Sequence, residues 1–524
     1  IAFRASIGSL TYIQEQLQEE EEEKEQEVLA TRAKSISQYE SDSFRCLLPQ
    51  IYSALTATGY HVQYGIAMSF SAVLISQMEV PGSGIVSTKP QNAFMASVFT
   101  MVSPLGSTTS GFLMDRFGRL NTLKLGLIPT IAGWILIALS KSMTPIIIGR
   151  VLIGIGACWA TNPASVYIAE IAHPKVRMSL NQLAPSYASL GLIFGYISGY
   201  YVSWWIISWI TILVVIIPVI GISFLHESPP WLMLKGRYDQ ARKSLNFFHK
   251  NQPQPPGMEE SFAELQFKML KKQQEEIERR RKKMNNILGI AKEFLKPTGY
   301  KPILIMTPLF FCQEFSGIFI TMFYSITFIE EAGSNINPYY ASALIGVIRL
   351  VLTIANIFIL KYITRRAAII SSAIGMAIFM FISGQYTLWI KQGVSTATWV
   401  PVTSLLMYVV CSVLGLMFLP FMLISELFPL EIRGVGYTIA YSINMLFMFG
   451  SLQSYYWLIE ILGGVAHLQW MFSILCVTAA VYTYFFLPET KGKKLSEVSE
   501  YFKKGWLYIG RSKDNKEKTT HDTA

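Results

Sequence analysis

Charge is scarce in this sequence. Only 15% of its 524 residues are Asp, Glu, Lys or Arg, where a soluble globular chain carries roughly 25%. A deficit sustained over this length excludes a soluble enzyme and a nucleic-acid binder. Cysteine is scarce too. Cys46, Cys158, Cys312, Cys411 and Cys476 are scattered singly, with no C-x-x-C and no spacing that would hold a metal or build a disulfide framework. They read as small core residues. There is no Asn-x-Ser/Thr sequon, so N-glycosylation is not expected. The start of the chain lacks the basic end and apolar centre of a signal peptide. What remains is apolar, 52% of the chain with 13% aromatics. That composition fits a polytopic helical membrane protein.

A membrane span needs ~20 mostly apolar residues. That ruler gives twelve candidates in two sets of six. The first six cover 48–75, 93–114, 122–139, 145–169, 180–200 and 204–225. The second six cover 303–329, 339–360, 368–389, 399–425, 434–462 and 470–487. The expected organisation is an N-terminal tail over 1–47, a six-helix half over 48–225, a helical linker over 226–302, a second half over 303–487 and a tail over 488–524. The fold class is therefore an all-α membrane protein with twelve transmembrane helices in two halves. Ser261–Lys283 is rich in Glu, Gln, Lys, Arg and Leu, good helix formers, so two or three short helices are expected in the linker. The Glu19–Glu23 run reads as a solvated tail.

The sparse charge is unevenly placed. Residues 1–46 hold 5 basic and 10 acidic side chains, residues 226–301 hold 16 and 9, and the tail from Pro488 holds 9 and 6. The net charge of +10 thus comes from connecting segments. Loops 115–124, 170–177 and 361–366 are basic or mixed, while the alternate loops carry Glu79 with Lys89, Lys141, Glu330 with Glu331, Lys391 and Glu460. By the positive-inside rule the basic loops, the linker and both termini face the cytoplasm.

The two halves repeat. Glu170 is followed seven residues later by Arg177, and Glu426 by Arg433, 256 residues further on. Glu227-Ser228-Pro229 closes the first half and Glu489-Thr490-Lys491 the second, 262 residues apart. Gly111 to Arg119 has a weaker partner in Lys361 to Arg366. Duplicated six-span halves place a site at their interface.

The loop after span two reads Gly111-Phe-Leu-Met-Asp115-Arg116-Phe-Gly118-Arg119, where glycine permits a tight turn and the charges can tie neighbouring helix ends. Further along come Gly149-Arg150, Tyr167, Glu227-Ser-Pro-Pro-Trp231, Lys235-Gly-Arg237, Gln313-Glu-Phe-Ser316-Gly317, Ser425-Glu426-Leu-Phe-Pro429, Arg433-Gly434 and Pro488-Glu-Thr-Lys-Gly-Lys. Together these resemble the sugar porter family of the major facilitator superfamily, over about Leu48 to Leu495. Within it the chain is most similar to the insect-type facilitated trehalose transporters. The resemblance implies facilitated sugar transport by alternating access at the plasma membrane, without chemistry and without a cofactor or metal. The expected partners are a sugar (trehalose or a monosaccharide) and the bilayer, with no nucleic acid, and the protein is expected to be a monomer. It also implies that Asp115, Arg116, Arg119, Glu170, Arg177, Glu426 and Arg433 form a network that holds one side shut.

The site departs from the family pattern. Span seven keeps its first glutamine as Gln313, but the second is Glu314, the expected asparagine is Phe319, and the tyrosine pair reads Phe323-Tyr324. Span ten has Phe421 for the usual tryptophan, and span eleven has Asn444-Met445. In span five the usual glutamine is Pro185, with Gln182 about one turn earlier. Gln313, Glu314, Phe319, Phe323, Tyr324, Arg349, Phe421, Asn444 and Gln182 are the expected substrate contacts. Where proton-coupled sugar porters carry an aspartate in span one, this sequence has Ala67, which favours uniport. His61 reads as a hydrogen-bonded helix residue rather than a proton relay.

Two charges stand out by depth. Glu314 lies 11 residues into span seven and Arg349 lies 10 into span eight. At ~1.5 Å per residue, each falls near the midplane of a ~30 Å hydrocarbon core. A charge there costs roughly 2.5–3.5 kcal/mol, so an ion pair on the cavity wall is expected; a buried pair that only ties spans seven and eight, and independent roles with Glu314 a proton carrier and Arg349 an anion contact, stay open. Two alternatives stay open. One is a non-transporting sugar sensor on the same fold; the other is a transporter of a charged or less polar solute.

Overall fold

The computed structural model describes residues 41, 43–80, 85–254, 260–283, 294–428, 432–491, 493, 498 and 502. The Glu19–Glu23 run lies outside them, as does the side chain of Arg433. Among the described residues every regular element is helical.

Span one is a short lead, Phe44–Thr58, then a turn at Gly59-Tyr60 and the long helix His61–Glu79. Span two is Lys89–Met101 with Ser103–Phe117, and span three is Arg119–Leu125 with Leu127–Ala138. Met143–Ile171 is span four, Pro174–Asn181 with Leu183–Tyr201 span five, and Trp204–Ile222 span six. In the second half, span seven is broken into Pro297–Phe315, Ile320–Phe323 and Ser325–Glu331. Pro338–Tyr362 and Arg365–Lys391 are spans eight and nine. Span ten is broken into Val400–Leu414 and Leu419–Leu427, span eleven into Arg433–Gln453 and Tyr455–Leu462, and Val465–Phe486 is span twelve.

Among the described residues nine helices are long and apolar enough to cross a membrane by composition alone. Spans one, two and five fall short of that measure. The reason is visible in span one, where Ser69 and Ser71 are fully buried among the other helices. A helix enclosed by protein need not be apolar on every face, because its polar groups find protein partners. Ser69 donates to the Gly65 and Ile66 carbonyls at 3.2 and 3.1 Å.

The sharp turn between spans two and three is set by Gly118, whose φ of 99° suits glycine. Its carbonyl accepts the Thr122 hydroxyl at 2.7 Å and the Thr122 N–H at 3.2 Å.

The chain divides into two compact units. One gathers the described residues up to Tyr52, Glu170–Lys175 and the linker from His226. Three helices build the linker: Pro229–Leu234, Tyr238–Phe248 and Phe262–Lys283. Ser228 caps the first, with Pro229 and Pro230 in its opening turn, where a missing N–H costs nothing. Their core is Trp231, Leu232, Met233, Ala241, Leu245, Ala263 and Phe267. Gln252 holds Ser41 by two hydrogen bonds, and Cys46 donates to the Asn251 carbonyl at 3.0 Å. The second unit holds the remaining spans around one apolar core.

Candidate functional site

The site is built on helices that do not run straight. Span seven stops at Phe315 and resumes at Ile320. Gly317 allows this with φ of 94°, and a Cβ at that position would meet the Phe472 ring at 2.5 Å. Both facts demand glycine. Span ten stops at Leu414 and resumes at Leu419. Each break frees backbone carbonyls, which must find donors inside a membrane protein. The two breaks satisfy one another: Tyr408 of span ten donates to the Ser316 carbonyl at 2.9 Å, and the Gln313 side chain donates to the Met417 carbonyl at 3.0 Å.

On this scaffold Gln313, Glu314 and Asn444 form one buried cluster, each with no exposed surface. The Asn444 amide donates to Glu314 Oε1 at 2.8 Å and to Gln313 Oε1 at 3.3 Å. Ser451 of span eleven donates to the Glu314 carbonyl at 2.7 Å. Gln313 therefore uses both ends of its amide on protein. Glu314 Oε2 and Asn444 Oδ1 are buried and have no hydrogen-bond donor among the described residues.

The expected ion pair between Glu314 and Arg349 is not formed. Glu314 faces span eleven just before the break in span seven. Arg349 faces the segment after that break, where its Nη1 meets Met322 Sδ at 2.6 Å. Among the described residues no ion pair joins the two, and Arg349 Nε has no acceptor although the residue is only 3% exposed. The interruption at Ser316–Phe319 sets the two charges against different partners, and depth along the sequence could not show this.

The other expected contacts are buried or half-buried. Phe319 and Phe323 are buried. Tyr324 is fully buried, donates to the Leu452 carbonyl at 3.0 Å and stacks on Tyr455 with ring centroids 4.3 Å apart. Phe421 is half-buried between Phe310 and Tyr441, at 6.2 and 6.3 Å. Gln182 is half-buried at the joint between the two pieces of span five, where its carbonyl accepts the Ser186 hydroxyl.

Sequence reasoning assigned no role to three groups that the structure makes prominent. Arg150 is fully buried, donating to the Ala67 carbonyl at 2.5 Å and to Ser71 Oγ at 2.6 Å, with its guanidinium 5.4 Å from the Phe99 ring. Its contact with Ala67 is the informative one, because that is where an aspartate was expected in proton-coupled relatives. Gln63 is fully buried and neither end of its amide has a partner among the described residues. Asn356 of span eight donates to the Val413 carbonyl at 2.7 Å. The signal for all three was a strongly polar side chain within an apolar run. His61 donates from Nδ1 to the Thr58 carbonyl at 3.0 Å, a bond within the turn that precedes its helix.

At the basic-loop end the sequence repeat becomes geometry. Ser228 donates to Glu170 Oε2. In the second half Thr490 donates to Glu426 Oε2, and Arg365 bonds Glu426 Oε1 at 3.4 Å. The Arg365 and Arg366 N–H groups both donate to the Glu489 carboxylate, each at 3.1 Å. Arg119 reaches back five residues to the Met114 carbonyl, and Arg365 reaches back five to the Leu360 carbonyl. The true counterpart of Arg119 is thus Arg365, one residue before the one that spacing selected. Asp115, Arg116 and Arg177 are exposed.

The opposite end carries hydrogen bonds between the two six-span halves. Ser97 donates to Gln453 Oε1 at 2.7 Å, Tyr196 to the Met322 carbonyl at 2.6 Å, and Tyr339 to Ser76 Oγ at 3.1 Å. The Tyr201 and Tyr340 hydroxyls share a bond of 2.9 Å, with the Tyr200 ring edge-on to Tyr201 and tilted against Tyr340.

Comparison with known proteins agrees with this architecture. The profile of the family described as "Sugar (and other) transporter" matches residues 7–502. The chain is 26% identical over 456 residues to the facilitated trehalose transporter Tret1 of Apis mellifera ligustica, covering 86% of this chain and 88% of that protein. It is 25% identical to Tret1 of Polypedilum vanderplanki over 86% of this chain and 87% of that one. Against the longer Tret1 of Drosophila yakuba, also 25% identical, the chain spans only 51% of the relative's length. Among solved structures it is similar in fold to the inward-open xylose transporter XylE from E. coli, with a TM-score of 0.65, 20% identity and coverage of 87% and 98%. A D-xylose–proton symporter aligns with a TM-score of 0.61 and 21% identity, over 86% and 98%. With the profile spanning nearly the whole of two six-span halves, the chain belongs to the Sugar (and other) transporter family, the sugar porters of the major facilitator superfamily.

Proposed function

We propose that this protein is a facilitative sugar transporter of the plasma membrane, with both termini cytoplasmic, working as a uniporter by alternating access. The observation that carries the reading is the buried cluster Gln313–Glu314–Asn444. It sits where the interrupted spans seven and ten meet span eleven. Broken helices at the interface of repeated halves are how this class of fold presents polar groups to a solute at mid-depth. The hydrogen bonds between the halves lie at the end away from the basic loops, so this conformation is the arm of the cycle closed to the outside. Arg150 supports uniport. Its donors meet the Ala67 carbonyl and the Ser71 hydroxyl, with no carboxylate among these acceptors to carry a proton. The solute is trehalose or a monosaccharide.

The test is uptake of radiolabelled trehalose and glucose into transporter-null cells, with and without a protonophore. Saturable uptake unaffected by the protonophore and nearly flat from about pH 5.5 to 7.5 is expected. Uptake that collapses with the gradient would replace uniport with proton coupling. No uptake of either sugar, at confirmed surface level, would favour a sensor.

A further inference from the structure

We propose that Glu314 and Asn444 form an ammonium-recognition subsite, and that the preferred solutes are polyhydroxylated amines such as protonated amino sugars. The inference rests on the transport reading above and narrows its substrate class. Three observations carry it. First, Glu314 Oε2 and Asn444 Oδ1 are fully buried acceptors with no donor among the described residues, held in one cluster by the 2.8 Å bond between their side chains. Second, the donors of the cluster itself are engaged: the Asn444 amide on Glu314 and Gln313, the Gln313 amide on the Met417 carbonyl, and Ser451 on the Glu314 carbonyl. Third, no cationic side chain ion-pairs with Glu314 among the described residues. The other charge at this depth, Arg349, is directed to Met322.

The chemistry of these two acceptors follows. A pair of amides offers both donors and acceptors and suits hydroxyls, which are both. A carboxylate beside an amide oxygen only accepts, and suits a group that only donates. The ammonium is such a group, with three N–H donors and no acceptor. A buried carboxylate without a counter-charge is costly. A solute cation supplies the missing charge on binding and makes a charge-assisted hydrogen bond, roughly twice as strong as a neutral one. A proton on Glu314 is the competing occupant.

The experiment measures uptake of labelled glucosamine, glucose and N-acetylglucosamine by the full-length protein and by Glu314→Gln, at matched surface level. In the parent, kcat/KM for glucosamine should exceed that for glucose by about ten- to hundredfold, the range expected of a hydrogen bond to a charged group. N-acetylglucosamine, which keeps the nitrogen but not the charge, should behave like glucose. Glu314→Gln should bring the glucosamine-to-glucose ratio to about one. The N-acetyl comparison needs no variant, so poor folding of Glu314→Gln cannot obscure the result. Equal or lower efficiency for glucosamine in the parent overturns the subsite, as does a preference that survives Glu314→Gln. Equal uptake of all three sugars, stimulated by acid only while Glu314 is present, assigns the carboxyl to a proton and likewise overturns it. Uptake of none of them by surface-resident parent overturns this inference, and absence of trehalose uptake as well overturns the transport reading.

Discussion

Arg150 shows how one side chain reports on mechanism. Its guanidinium is wholly buried on neutral partners: the Ala67 carbonyl, Ser71 Oγ and, at 3.4 Å, the Met95 carbonyl. It ties spans one, two and four together. Arg150→Ala should destabilise the protein by ~2–5 kcal/mol, the range for deleting a large buried side chain, read as a lower melting temperature in detergent. Ala67→Asp is the more telling change, since it sets a carboxylate beside a guanidinium that now has only neutral partners. If uniport reflects the missing acid at this position, Ala67→Asp should make uptake several-fold pH-dependent between about pH 5.5 and 7.5 while the parent stays flat. A flat profile in a well-expressed Ala67→Asp protein would show that position 67 is not where a proton carrier acts. At this scale the sequence was partly legible. The polarity of Gln313, Asn444 and Glu314 marked them as candidates, but the partners they choose follow from backbone breaks that composition does not reveal.

Among the elements, the linker carries a pH-sensitive group well away from the spans. His249 ends the Tyr238–Phe248 helix, with its ring 5.0 Å from Phe262. Burial, reinforced by the neighbouring His173, holds its pKa down at about 4 against an ordinary 6.5. Below pH 6.5 the unfolded chain therefore binds a proton that the folded linker resists until about pH 4. Stability contributed by this residue is complete above pH 6.5 and lost as the pH falls towards 4, up to ~3 kcal/mol if the whole shift is expressed. Proteolysis of the linker in the full-length protein should accelerate from pH 7.5 to 5, and His249→Gln should largely remove that acceleration. His226, also held down by burial and stacked on Phe247 at 4.4 Å, leaves a smaller remainder. An unchanged acid response in His249→Gln would move the sensitivity elsewhere. The linker helices themselves were readable from Glu-, Lys- and Leu-rich stretches; the burial of one histidine among them was not.

At the scale of the whole molecule, the repeated motifs are proposed to act as a latch on the cytoplasmic side. Glu426 gathers Arg365 and Thr490 from the ends of spans nine and twelve, while Glu489 receives two backbone N–H groups at the start of span nine. Such pairs at exposed ends contribute only about 0–1 kcal/mol each when independent. A gating role therefore requires that these anchors, which lie within one half and are present with the outside closed, take further partners across the halves when the cytoplasmic side shuts. Arg177→Ala and Arg433→Ala should reach the surface at near-parental level and lose most of their uptake, about tenfold. Introduced cysteines should show increased labelling from the cytoplasmic side. Parental uptake in both variants would discard the latch.

What the sequence determined by itself is the class and plan of the molecule. Twelve apolar segments, a basic linker and two copies of the same charged motifs follow from hydropathy and spacing, because a bilayer admits few other solutions for such a chain. Even the pairing of Glu170 with Ser228 and of Glu426 with Thr490 is foreshadowed by separations of 256 and 262 residues. The tertiary structure decided which polar groups meet. Two charges at equal depth invited an ion pair, yet the turn at Gly317 gives Glu314 to Asn444 and Arg349 to Met322. Depth is a property of position along one helix. A contact also depends on where each helix breaks and which face it then turns to its neighbour, and that is settled only when the spans pack.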